Sequence, residues 1–351
     1  MTKWTTADQA LFETIAKMTQ PALYRSMRKY LKKYYGQDGV NATKEYILCE
    51  GNLPVMLVAH MDTVFKTPPQ RIFYDVKQTT MWSPEGLGAD DRAGVYLIWR
   101  IVQSGYLPHI CLTTDEELGC VGAGALIKDF PNCPFGGLKY IIELDRQGTN
   151  DCVFYSCANE QFQTFVESYG FLTDWGTYSD ISDICPAWKV AGVNLSVGYK
   201  GEHQTTEILN THAMLDTLRK VKEMLKECTS ADVPKFEFVM DPYDRYFYSI
   251  GRHYLYPYDD EDEMEFARYY PNYNHTCQCA RCGHVYQDID VFPVKAKDYD
   301  GIRYYCLDCV DTGINWCKKC GEPFEVEKET DEFCPDCLGK QRPKVMINNR
   351  G

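Results

Sequence analysis

Five short segments carry the residue types that bind divalent metal ions. They are 58–64 (VAHMDTV), 86–94 (GLGADDRAG), 113–119 (TTDEELG), 141–146 (IIELDR) and 201–207 (GEHQTTE). Imidazole and carboxylate are the ligands of a zinc ion that keeps a position open for water. The two histidines, His60 and His203, with Asp90, Glu117 and Asp145, supply two such ions if one carboxylate bridges them. A neighbouring carboxylate that binds no metal can then act as general base on a water. Asp62 lies two residues from His60 on a strand-like segment, placed to hold the other ring nitrogen of that imidazole. Each segment alone has a structural explanation: an ordinary polar pair, a helix-opening acid, a turn residue. The order of all five, several at strand ends, is the stronger signal.

A second constellation is made of sulfur. Of 17 cysteines, Cys49, Cys111, Cys120, Cys133, Cys152, Cys157, Cys185 and Cys228 are scattered and read as small buried hydrophobes. The others crowd into 277–337, mostly as C-x-x-C pairs: Cys279/Cys282, Cys306/Cys309, Cys317/Cys320 and Cys334/Cys337. Eight thiolates match two tetrahedral structural zinc sites. Sequential pairing gives two consecutive modules and is preferred to a cross-braced arrangement, because each knuckle is then followed by its own hairpin-length segment. Cys277 is left over, an alternative ligand or a free thiol. His275 and His284 are read as bystanders.

Apolar segments that alternate with helical ones must position the first constellation. Strands are expected at Val55–Ala59, Arg71–Val76, Ile110–Thr113, Tyr140–Leu144 and Lys189–Val197, and helices at Asp91–Ser104 and Gly122–Phe130. His212–Glu227 is amphipathic, with Leu215, Leu218, Val221 and Leu225 on one face. Ahead of these, residues 5–35 read as two helices, the first with Thr6 and Gln9 as capping box, the second opening at Pro21 and closing at Gly36. Buried strands alternating with helices predict an α/β domain with a mixed, mostly parallel central sheet flanked by helices, followed by small zinc-ribbon-like modules. The expected divisions are 1–228 for the α/β domain, 229–276 for a tyrosine-rich acidic linker or strap, and 277–351 for the cysteine region.

The chain has 351 residues and a formal charge of −13, which argues against a nucleic-acid or anionic-membrane partner. Four thiolates around one Zn²⁺ add roughly two further negative charges per site, which weakens the nucleic-acid reading of the tail as well. No apolar run is long enough for a membrane span, the start lacks a secretory signal pattern, and the cysteine usage suits a cytoplasmic location.

The motifs HMDTV, GLGADDRAGV and TTDEELGCVGA resemble those of the cocatalytic two-zinc exopeptidases: zinc aminopeptidases, peptidase T and glutamate carboxypeptidases. The resemblance covers roughly residues 40–228. It implies that Asp90 bridges two zinc ions, with Asp91 the alternative. His60 and Asp145 would complete one site, Glu117 and His203 the other, and Glu116 would be general base and proton shuttle. Glu143 is the less favoured acid of its segment. Many relatives insert a lid or dimerisation domain between the fourth and fifth ligands. The stretch from Asp145 to His203 is too short for one, so the single-domain aminopeptidase architecture fits better.

The resemblance therefore implies a metal-dependent hydrolase of amide bonds, an aminopeptidase acting on small peptides. A carboxypeptidase or N-acyl amino acid deacylase with the same metal core is an alternative. An inactive scaffold with a zinc-dependent interaction tail is another, which the intact Glu116 and ligand set argue against. Two catalytic Zn²⁺ (Co²⁺ or Mn²⁺ as alternatives) and two structural Zn²⁺ are the expected cofactors. A small peptide or acylated amino acid is the expected substrate, and the zinc modules are expected to serve a protein contact or self-association. Tyr199 and Lys200 are candidate oxyanion donors or substrate contacts, or simply surface loop residues.

Overall fold

A computed structural model describes residues 3–241, 276–287, 291–297, 302–306, 309, 313–317, 323–326 and 331–339. The chain divides into two compact units, Met1–Phe247 and Tyr248–Gly351.

The first unit opens with α1 (Thr6–Ala16) and α2 (Gln20–Tyr35), then β1 (Val40–Ala42), β2 (Tyr46–Cys49) and β3 (Leu53–His60). The chain continues through β4 (Phe73–Tyr74), β5 (Thr80–Trp82), α3 (Ala89–Gln103), β6 (Pro108–Thr113), α4 (Val121–Asp129) and β7 (Tyr140–Arg146). It ends with β8 (Asp151–Val153), α5 (Glu160–Glu167), β9 (Leu172–Thr173), α6 (Asp180–Trp188), β10 (Gly192–Ser196), β11 (Tyr199–Lys200), β12 (Ile208–Asn210) and α7 (Thr211–Glu227).

The main sheet has eight strands in the order β1-β2-β6-β3-β7-β10-β8-β9. Its centre is parallel: β3 pairs with β6 and β7, and β7 pairs with β10. These strands are buried on both faces, Val55 to Ala59 completely, as near-continuous apolar runs require. Parallel pairing puts the carboxyl ends of β3, β6 and β7 on one edge, where sites in such sheets form. A smaller antiparallel sheet, β11-β12-β5-β4, carries the loop that holds His203.

The mixed, mostly parallel sheet is the one expected, and several details differ. The cap of α1 lies one residue earlier than Thr6 and Gln9. Thr5 Oγ1 accepts from Asp8 N at 3.2 Å, and Thr5 N donates to Asp8 Oδ2 at 2.9 Å. Aspartate serves in place of the longer Glu or Gln, and its other oxygen accepts the Tyr96 hydroxyl at 2.9 Å. The strand expected over Arg71–Val76 shrinks to β4. Glu85 holds the Arg71 backbone and side chain on one side, and on the other Asp75 Oδ1 accepts from Thr79 and Thr80 and closes a turn. The strand expected from Lys189 starts at Gly192, because Lys189 is the left-handed cap (φ 56°) that ends α6. Part of the expected linker packs as a strap: Phe236 is buried, Phe236 N donates to Lys139 O and Ala191 N to Phe236 O. Residues 242–275, with the acidic run, lie outside the described residues. Among the described residues, no helix is long and apolar enough to cross a membrane.

One buried group in the sheet gives the unit a pH dependence. His109 on β6 is 5% exposed, stacks on Phe135 at 3.8 Å and accepts from Gly51 N through Nδ1 at 3.1 Å. Burial pushes its pKa down to about 4, so the folded chain holds it neutral where the unfolded chain would protonate it. Its contribution is complete above pH 6.5 and is lost as pH falls towards 4, up to about 3 kcal/mol. His109→Asn keeps an acceptor without titrating. Denaturant unfolding from pH 7 to 4 should show a shallower loss of stability in this variant. Parallel curves for the two proteins would refute the assignment.

Candidate metal centre

His60, the last residue of β3, is buried and central. β6 ends at Thr113, and a left-handed Asp115 (φ 56°) turns the chain into the short 3-10 turn Glu116–Leu118. Asp145 lies near the end of β7. Asp90 and Asp91 start α3 with non-helical dihedral angles, after Gly88 at φ 65°. A side chain at Gly88 would sit 3.0 Å from Thr63 Cγ2 in a conformation L-residues rarely adopt, so glycine is needed there. His203 (φ 62°) comes from the loop between β11 and β12, its side chain 55% exposed.

Asp90 stands between the two imidazoles. Its Oδ1 is 3.1 Å from His60 Nε2, and its Oδ2 is 3.3 Å from His203 Nε2. His60 Nε2 also lies 3.5 Å from Asp145 Oδ1, and His203 Nε2 lies 3.0 Å from Glu117 Oε2. Two N/O ligands on one tetrahedral zinc, each about 2.1 Å from it, are about 3.4 Å apart. All four spacings are close to that value. Glu117 Oε1 is buried without a hydrogen-bond partner among the described residues. The donor set therefore fits two zinc ions sharing Asp90. Asp91 is also within reach of His60 and Asp145. Its oxygens, however, accept from His60 N at 3.2 Å and Gly94 N at 2.8 Å, which commits them to the backbone.

Glu116 stands beside this set, its Oε2 3.9 Å from His60 Nε2. Burial raises its pKa to about 7; Asp145 and Asp90 add to the shift and His60 opposes it. Burial and then Asp90 raise Glu117 to about 8, and burial raises Asp145 to about 6. Burial opposes protonation of His60, but Asp145 and Asp62 outweigh it and hold its pKa well above the ordinary value.

Several side chains hold the others in place. Asp62 accepts from Glu116 N at 3.1 Å and Glu117 N at 3.0 Å, and its Oδ1 faces His60 Nδ1 at 3.3 Å. That last distance is an electrostatic contact rather than an aligned hydrogen bond. Tyr199, considered above as an oxyanion donor, is buried and donates to Asp145 Oδ1 at 3.0 Å. Lys200 is exposed. Asn194 brackets the Asp145 backbone, accepting from its N at 2.9 Å and donating to its O at 3.0 Å. Glu207 accepts from Ala89 N and Asp90 N at 3.1 and 3.0 Å and fixes the backbone of the shared aspartate. Asn194 and Glu207 lie outside the ligand set expected from the motifs. Glu207 was the one with a signal, closing the His203 segment as a carboxylate.

Glu143 does not reach the two imidazoles within ion-pair distance. It is fully buried, and neither of its carboxylate oxygens has a hydrogen-bond partner among the described residues. Burial, then Asp145 and Asp180, raise its pKa well above the usual range.

In comparisons with known proteins, no family model and no curated sequence matches. Solved structures do. A TET aminopeptidase from a marine-sediment thaumarchaeote aligns with TM-score 0.50 at 12% identity, covering 65% of this chain and 98% of its own. Aminopeptidase PepT from Bacillus cereus aligns at 0.46 and 15% identity, covering 64% and 98%. A tripeptidase from Staphylococcus aureus aligns at 0.47 and 14%, covering 62% and 97%. The chain has the fold of the cocatalytic zinc exopeptidases, the class its motifs resemble. At this identity the likeness is one of fold.

The second unit holds the sulfur constellation on β13 (Thr276–Gln278), β14 (Val285–Gln287), β15 (Val291–Lys295), β16 (Ile302–Cys306), β17 (Ile314–Trp316) and β18 (Pro323–Glu325). The ligand atoms of Cys279, Cys282, Cys306 and Cys309 lie within 4.8 Å of one another, and so do those of Cys317, Cys334 and Cys337. The pairs thus meet sequentially. Cys320 lies outside the described residues, as do His275 and the Cys277 side chain. Two thiolates about 2.3 Å from a tetrahedral zinc stand about 3.8 Å apart. Cys282 Sγ and Cys306 Sγ are 3.8 Å apart. The modules are not independent ribbons, because β16-β15-β18-β17 form one sheet. Buried Glu325 on β18 accepts from Lys297 N at 3.1 Å and Arg303 Nη1 at 2.7 Å, and takes the Tyr305 hydroxyl.

Two measurements check these assignments. Asp62→Asn removes the charge behind His60 and weakens both backbone clamps. Zinc affinity of the first unit's site, measured by chelator competition, should fall about 10–100-fold. Unchanged affinity would show that Asp62 does not orient the site. Cys306→Ser should lower the zinc content of the chain by about one ion while sparing the His60 site. Full zinc retention would refute the four-thiolate assignment.

Proposed function

We propose that the chain is a metal-dependent aminopeptidase that removes the first residue from small peptides. The observation that carries this reading is Asp90, whose two oxygens face His60 and His203 while Glu116 stands beside them. The aminopeptidase fold of the neighbouring structures supports it.

His60, Asp90 and Asp145 would hold one divalent ion, and Asp90, Glu117 and His203 the other. Two such ions make a water acidic near neutral pH and polarise a carbonyl oxygen. The chain's own part is proton transfer and positioning. Glu116, with a pKa near 7, accepts the proton of the attacking water and returns it to the leaving amine. Asp62 fixes the backbone of Glu116 and Glu117 together, so base and ligand share one anchor. Tyr199 and Asn194 hold Asp145 from behind. The exposed side of His203 leaves a path for substrate. The clustered C-x-x-C pairs, read as zinc ligands, suit a reducing, cytoplasmic setting.

Glu116→Gln and Glu116→Ala test the mechanism on a panel of aminoacyl, carboxyl-terminal and N-acylated amides. The expected result is aminoacyl hydrolysis by the parent protein and a loss of about 10²–10⁴-fold in both variants, with zinc content unchanged. Full activity in either variant would remove Glu116 from the mechanism. Hydrolysis confined to N-acylated or carboxyl-terminal amides would replace the aminopeptidase reading with a deacylase or a carboxypeptidase.

A further inference from the structure

Glu116 is the acid on which the proposed mechanism turns, and its carboxylate is held at one point. Oε2 is the oxygen nearer the metal centre, 3.9 Å from His60 Nε2. Oε1 takes the one side-chain hydrogen bond that this carboxylate makes among the described residues. Its donor is Cys120, whose Sγ lies 3.4 Å away and four residues along the chain. Cys120 is buried, so water does not compete for the contact.

The turn that carries both residues is closed by its own backbone. Gly119 N and Cys120 N donate to Glu116 O at 2.9 and 2.8 Å, and Val121 N donates to Asp115 O at 3.1 Å. Cys120 then opens α4 from the left-handed region, at φ 54°. Glycine would hold that conformation without steric cost. What cysteine adds there is a thiol within reach of the Glu116 carboxylate. Burial pushes the pKa of this thiol well up, and Asp180 and Glu116 add to the shift, so the sulfur keeps its proton and can donate it. A thiol is a weak donor. It fixes the place of an oxygen while taking away little of the carboxylate's affinity for a proton.

We infer that Cys120 is a positioning residue for Glu116, its S–H group holding Oε1 so that Oε2 is presented to the attacking water. The base is thereby oriented from its own turn, which Asp62 fixes by the backbone and Cys120 by the side chain. The role rests on the proposed function, because it needs Glu116 to be the base; the contact between thiol and carboxylate does not. Cys120 also belongs to an apolar cluster with Ala123 and Ile181. Any small apolar side chain would serve as filler in that cluster, whereas orienting Glu116 needs a donor, so substitutions separate the two.

The test uses the full chain loaded with zinc and an aminoacyl amide as substrate. Cys120→Ala removes the donor and keeps a small apolar group. It should lower kcat about five- to twentyfold with KM within about twofold, because the orientation of a base is felt in the transition state rather than in binding. Zinc content should not change. Cys120→Ser restores a donor, and its kcat should stay within about threefold of the parent value. Cys120→Gly suits the left-handed backbone, so it keeps the test open should Cys120→Ala fail to fold, and it should show the same loss of kcat. A parent-like kcat in Cys120→Ala or Cys120→Gly overturns the role. So does an equal loss in Cys120→Ser and Cys120→Ala, which a packing role would produce. Infrared spectroscopy reads the contact without turnover. The S–H stretch of Cys120, isolated in each background by subtracting the Cys120→Ser spectrum, should lie at lower frequency in the parent than in Glu116→Ala. A band that Glu116→Ala leaves unmoved overturns the contact. A band that moves, in a chain that hydrolyses no aminoacyl amide, would refute the aminopeptidase reading and the role with it, while the contact stands.

Discussion

Asp62 accepts the N–H groups of Glu116 and Glu117 while facing Nδ1 of His60. One carboxylate thereby ties the end of β3 to the turn after β6, and the rest of the site is arranged around that tie. Asp90, Asp91, Glu116, Glu117 and Asp145 all crowd the same imidazole side of the sheet. Taking that many acids out of water is unfavourable unless donors or cations meet them. The available donors are distributed with little overlap. Backbone N–H groups serve Asp62, Asp91 and Glu207, the Tyr199 and Ser179 hydroxyls serve the Asp145 carboxylate, and the oxygens of Asp90 face the two imidazoles. Asp90, which faces both imidazoles, and Glu117, with one oxygen unpartnered among the described residues, have the geometry of metal ligands.

The same distribution accounts for Arg92, a buried side chain whose Nε and Nη1 have no hydrogen-bond partner among the described residues. It lies within charge range of Asp62 and Asp91, each of whose oxygens already accepts a backbone N–H. Its charge helps to balance the acids at a distance, but its hydrogen-bonding capacity is left over.

Much of this was legible in the sequence. Long parallel strands are uniform apolar runs, so β3, β6 and β7 could be read directly, and with them the strand ends where His60 and Asp145 sit. The C-x-x-C spacing likewise carried the sequential meeting of the cysteine pairs. What could not be read depends on tertiary context. The helix α6 contains Pro186 and has only nine residues, so its periodicity is weak. Strand β2 is an edge-side partner whose four residues resemble any short apolar stretch. Tyr199 looked like a loop residue because its burial comes from the second sheet folding over Asp145. The single sheet shared by the two zinc modules buries Glu325 against Arg303 and Tyr305, and nothing in its sequence neighbourhood marks it as buried.

The fold alone would not define a chemistry, since one scaffold serves many reactions. The layer beneath the ligands narrows it. Glu143 and Asp180 are both fully buried, and each has a carboxylate oxygen without a hydrogen-bond partner among the described residues. Burial raises Asp180 to about 7, with Glu116 adding to the shift and the Thr113 hydroxyl opposing it, and burial likewise raises Glu143 well above the usual carboxylate range. If both were ionised, two more charges would press on Asp145 and Glu116 from below. Protonation of either acid would relieve that repulsion. Glu143 on β7 and Asp180 at the start of α6 are thus tied to the ligand cluster by charge, from two different elements.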